Sequence, residues 1–194
     1  MGRGEKQMKA KLTDWLTKPG PHIIARSGEK VKRVPPSPYR LVLDTNTVVR
    51  AFVNIESFSG QILTDCQLRR MLPLLSSPVL DEYRSILRRR ELVERFPELT
   101  RPEVFVSLER LRYVSDYYRR ITTRFSLPRD PRDEPFIELA ISGQATHPIT
   151  TDRDLLSLMN RHDDASRRFR KQLPRTSVLT PQESVRQQLD AISS

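Results

Sequence analysis

Four acidic residues stand where the sequence predicts strands to end. Asp44 follows Leu41-Val42-Leu43 directly, and Glu82 lies within two turns of the start of the helix expected after a strand at 72–75. Asp133 opens the helical stretch Glu134-Pro135-Phe136-Ile137, and Asp152 follows the strand expected to end at Thr150. In an open parallel sheet, ligands bind outside the carboxyl ends of the strands, so this placement points all four acids into one crevice. Carboxylates crowded together repel and raise one another's pKa, and a bound divalent cation relieves that repulsion. Mg²⁺ and Mn²⁺ are hard ions that take oxygen ligands and also reach phosphate oxygens. Two such ions about 4 Å apart can activate an attacking water and stabilise the leaving oxygen of a phosphodiester.

No competing arrangement is present. There is one cysteine, Cys66, and three histidines, with no paired spacing for zinc, and six glycines are too few and too scattered for a phosphate-cradling loop. The acids also have plainer readings. Asp133 and Asp152 each precede a helix and could cap it, whereas Asp44 has the weakest rationale as a cap. Asp154 is near enough to serve as an auxiliary ligand; Asp81 and Glu138 are expected on the surface.

The elements that must position these residues alternate in type. Strands are expected at 39–43, 72–75, 147–150 and 177–179, with a short one at Ile121. Helices are expected at 47–52, 60–70, 78–90, 102–118, 134–143 (closed by Gly143), 154–159 and 181–192. Such alternation implies an α/β fold, a three-layer α/β/α sandwich around a central parallel sheet.

Composition sets the surroundings. The chain has 194 residues, 34 Lys+Arg and 24 Asp+Glu, a formal net charge of +10. No apolar run approaches the ~20 residues of a membrane helix, and the lone cysteine gives no internal disulfide, so a cytoplasmic protein away from membranes is expected. Residues 1–38 hold nine of the Lys+Arg and three acids, and read as a basic, proline-containing arm preceding a domain at 39–194. Within the arm, Met8, Leu12, Trp15 and Leu16 recur at helical spacing. A second basic tract, 161–175, carries Arg167, Arg168, Arg170, Lys171 and Arg175. Both stretches suit a polyanion such as nucleic acid, and both also suit a solvated surface.

The motifs together resemble the PIN-domain nucleases, and among them the VapC-like toxin components of toxin-antitoxin modules. The resemblance is carried by Leu41-Val42-Leu43-Asp44-Thr45-Asn46, Ser77-Pro78-Val79-Leu80-Asp81-Glu82, Asp130-Pro131-Arg132-Asp133-Glu134, Ile149-Thr150-Thr151-Asp152-Arg153-Asp154 and Val178-Leu179-Thr180-Pro181. It implies a metal-dependent endoribonuclease in which Asp44, Glu82, Asp133 and Asp152 are the catalytic, metal-binding acids, supported by Asn46 and Thr150. Arg50, where the group usually has a small residue, would clamp a phosphate or lie alongside it. The implied partners are RNA, a cognate antitoxin protein and a second copy of the chain. A structure-specific DNA nuclease of the same fold and an inactive RNA-binding protein are the alternatives.

Overall fold

The computed structural model describes residues 39–193. The arm at 1–38, with its amphipathic stretch, lies outside the described residues. The sheet has four parallel strands in the order β3-β2-β1-β4: β1 Arg40–Leu43, β2 Leu72–Ser76, β3 Asp116–Tyr118 and β4 His147–Ile149. Leu41, Val42 and Leu43 are buried, as a central strand covered on both faces requires.

Nine α-helices connect and cover the strands of the described residues. They are α1 Thr45–Val53, α2 Phe58–Gln67, α3 Ser77–Ile86, α4 Arg90–Arg95, α5 Pro102–Val114, α6 Glu134–Ser142, α7 Arg153–Leu156, α8 Asp164–Gln172 and α9 Pro181–Ser193. Helices α3 and α6 pack on each other and on β2, with α6 reaching β1; α5 also meets β2, α9 meets β4, and α2 contacts both α5 and α9. This is the three-layer arrangement that the alternating pattern implies. Among the described residues no helix is long and apolar enough to cross a membrane.

Several expected elements take a different form. The helix from Pro102 ends at Val114, because Asp116, Tyr117 and Tyr118 pair with Leu74, Leu75 and Ser76 to make β3; a sheet partner overrides helical continuation. The helix expected to reach residue 90 stops at Ile86, where fully buried Leu87 turns the chain into the core. No strand forms at Ile121. In that segment the backbone N–H of Phe125 donates to Glu138 at 3.2 Å and that of Leu127 to Glu134 at 2.8 Å, so carboxylates replace a neighbouring strand. The closing strand at 177–179 reduces to a bridge between Ile149 and Leu179, flanked by backbone bonds from Ser177 to Thr146 and from Thr150 to Leu179. The tract at 161–175 is built around α8, which buries Ala165, Ser166 and Phe169.

Two glycines stand in close contacts. A Cβ on Gly60 would stand 2.2 Å from the Ile55 carbonyl oxygen, so only glycine lets the start of α2 close on the turn after α1. Gly143 follows α6 with φ −89°, which any residue adopts; a Cβ there would meet Leu74 Cδ1 at 2.6 Å, so the leucine side chain would have to shift.

Candidate metal centre

Each acid owes its place to the carboxyl edge of the sheet. Asp44 ends β1 and is buried. Its Oδ1 accepts from the Thr47 N–H at 2.6 Å, which makes it the N-cap of α1, contrary to the expectation that it had little capping role. Its Oδ2 accepts from the Thr150 hydroxyl and from the Thr151 N–H at 3.3 Å. Thr150 also accepts, at its own Oγ1, from the Asp152 N–H at 2.8 Å. Asp152 caps α7, accepting from Asp154 N–H at 2.6 Å and Leu155 N–H at 3.4 Å.

Glu82 sits on α3 and is half-buried, receiving the Thr45 hydroxyl at 2.8 Å. Burial raises its pKa; Thr45, Arg89 and Arg132 oppose the rise, and Asp44 adds to it. Just beyond it, buried Tyr83 donates its hydroxyl to the Leu43 carbonyl, fixing α3 against the residue that precedes Asp44.

Asp133 differs from the other three. It stands immediately before α6 but makes no side-chain capping bond, so the capping reading fails at this position. Its Oδ2 is buried with no hydrogen-bond partner. Burial pushes its carboxyl up to about 7, and the charges of Asp130, Asp152, Asp44 and Glu82 push in the same direction. Asp133 thus feels the charge of the other three expected acids. A buried carboxylate oxygen without a donor normally costs 1–3 kcal/mol or more, and a cation is the partner that an acceptor-only group surrounded by acids can take. The donor set therefore fits a hard divalent ion. Among the described residues no three His, Cys, Asp or Glu side chains already form a cage, and threonine hydroxyls engage Glu82 and Asp44.

The remaining candidates divide. Asp154 faces Arg129 Nε at 3.4 Å, an ion pair that competes with an auxiliary ligand role. Asn46 and Arg50 are exposed and line a cleft beside the acids. On α8, Arg168 lies over the Phe125 ring at 5.5 Å and donates to the Ser126 carbonyl, and Arg170 donates to the Leu158 carbonyl at 2.6 Å. Arg167 and Lys171 are exposed. Sequence reasoning missed Thr45, although it adjoins Asp44, and missed Arg132, although it stands inside Asp130-Pro131-Arg132-Asp133.

Comparison with known proteins gives one match. A family model described as PIN domain covers residues 40–154, well over half of the chain and spanning all four acids. No curated protein and no solved structure matches.

Proposed function

The chain belongs to the PIN-domain family, generally metal-dependent nucleases, and from that premise we propose that it is an endoribonuclease working with Mg²⁺ or Mn²⁺. The observation that carries the reading is Asp133: a buried carboxylate oxygen without a donor, among four other acids, at the ligand-binding edge of a parallel sheet.

Asp44, Glu82, Asp133 and Asp152 would hold the ion or ions. The chemistry supplied by a bound divalent cation is charge neutralisation at the phosphate and a more acidic attacking water. Asp44 is held by Thr47 and Thr150, and Glu82 by Thr45, so neither carboxylate must be ordered when substrate arrives. Burial and the neighbouring acids raise the Asp133 carboxyl to about 7, so a cation bound beside it would favour its ionised form. Arg50 and Arg132 are exposed cations beside the acids and suit the phosphates flanking the one attacked. In-line attack at phosphorus with loss of the 3′ oxygen leaves 5′-phosphate and 3′-hydroxyl ends.

The net charge of +10 supports a polyanionic substrate. The motif resemblance supports RNA, and it extends the reading to a toxin neutralised by an antitoxin protein. The test is incubation with single-stranded RNA, single-stranded DNA and duplexes in EDTA, Mg²⁺ and Mn²⁺, beside Asp44→Asn, which keeps a capping side chain. RNA cleavage that needs metal and Asp44 is expected. Cleavage of DNA alone overturns the RNA assignment, and no cleavage of any substrate overturns the nuclease. Growth arrest on induced expression, abolished by Asp133→Asn, tests the toxin role.

A further inference from the structure

Beside the acids lies a cleft of about 790 Å³, within the size range of small-molecule sites. Asn46 and Thr151 line it, so it opens onto the edge where Asp44 and Asp152 sit. Its farther wall is apolar and cationic. Phe58, at the start of α2, is 42% exposed, while most other large apolar side chains among the described residues are covered. Phe96 carries the Arg95 guanidinium over its ring at 5.2 Å. Arg50, on α1, lines the same cleft, and among the described residues neither Arg50 nor Arg95 has an acidic partner. Among the described residues the lining contains no acid.

An exposed aromatic face, a guanidinium stacked on a second ring and an unpaired cation are what an unstacked nucleotide requires: π surfaces for its base and positive charge for its phosphates. Resting on the nuclease reading above, we propose that this cleft is a base-receiving subsite for single-stranded RNA. Phe58 and the Arg95–Phe96 pair hold the base of a nucleotide next to the cleaved bond, and Arg50 holds its phosphate. A duplex keeps its bases stacked and paired and cannot deliver one to Phe58 without paying to open. The subsite thus makes the enzyme selective for unpaired RNA and tolerant of sequence, because every base has a π face. The basic arm of this chain is a poor occupant, since two arginines already line the cleft.

The test measures binding in EDTA, where cleavage does not interfere, by anisotropy of a labelled single-stranded RNA of about 12 nucleotides, the matching single-stranded DNA, and the RNA duplex. Phe58→Ala is expected to weaken single-stranded RNA binding roughly tenfold, Phe58→Tyr to stay within about twofold of wild type, and the duplex to bind weakly and equally to all three. Phe58→Ala binding the single strand like wild type, or losing duplex equally, overturns the subsite. So does a dimer that Phe58→Ala converts to monomer, which would make a second copy the occupant. Single-stranded DNA held as tightly as RNA, and equally sensitive to Phe58→Ala, overturns the assignment to RNA. Metal-dependent cleavage by wild type in a parallel assay separates failure of the subsite from failure of the nuclease reading.

Discussion

The hydroxyl of Thr150 donates to Asp44 Oδ2 while accepting from the Asp152 N–H, so one side chain just after β4 links the acid that follows β1 to the acid that caps α7. Thr150→Val leaves Asp44 short of a donor and the Asp152 N–H short of an acceptor, each buried or half-buried. We expect a loss of about 1–3 kcal/mol in stability and at least a tenfold fall in turnover at saturating RNA, with KM little changed. Thr150→Ser should recover both. If the valine variant turns over like the serine variant, Thr150 has no positioning role.

Asp133 gives a pH dependence of stability with a defined sign. Its folded pKa of about 7 lies above the ordinary 3.8, so between those values the folded state binds the extra proton. Stability is then fully present below about pH 4 and is lost as pH rises through 7. Asp133→Asn removes that loss. In EDTA, its melting temperature should match wild type near pH 4 and exceed it by a few degrees at pH 8. A gap that does not change with pH would contradict the burial described for Asp133.

A cation that binds only the folded chain raises its melting temperature. Mn²⁺ at about a hundredfold above its dissociation constant should stabilise wild type by about 2.7 kcal/mol. Asp44→Asn and Asp133→Asn should show little of this shift. Calorimetric scans with and without Mn²⁺ decide the matter, and equal shifts in all three proteins would place the ion elsewhere.

Gly60→Ala forces a methyl group to within 2.2 Å of the Ile55 carbonyl oxygen. Backbone must move, at a cost of roughly 1–3 kcal/mol or more. Because Ser57 and Phe58 flank this contact and line the cleft, weaker single-strand binding should accompany the lower melting temperature. Denaturant titration together with anisotropy checks both effects.

Deleting residues 1–38 removes nine Lys+Arg and three acids. If about four of those cations meet phosphate, the slope of log affinity against log salt should fall by roughly 3. Turnover at saturating substrate should be unchanged, because such contacts serve ground and transition states alike. An unaltered slope would remove the arm from the RNA-binding surface.

The parts legible in the sequence were those written in local pattern. The apolar run before Asp44, the proline after Ser77 and the acids at strand ends announce a parallel sheet with one loaded edge. What local pattern cannot carry is choice among partners. Residues 116–118 continue the helical periodicity from Pro102 and become a strand only because β2 offers them a ladder. The capping roles of Asp44 and Asp133 are likewise exchanged relative to expectation, because capping depends on side-chain direction, which sequence position does not encode. The cleft was invisible for a different reason. Arg50, Phe58, Arg95 and Gln182 reach it from four separate segments, and no spacing links them.

The strand order β3-β2-β1-β4 also sets a timetable. β1 is made first but finds its second partner only in β4, and Asp44 receives Thr150 from 106 residues farther along the chain. Domains fold as the ribosome releases them, N-terminal parts first. A growing chain can therefore assemble β1, β2 and the helices between them while the acidic edge still lacks Thr150 and Asp152. On the reading proposed above, the RNA-cutting edge does not exist until its own message has been translated past the codon for Asp152.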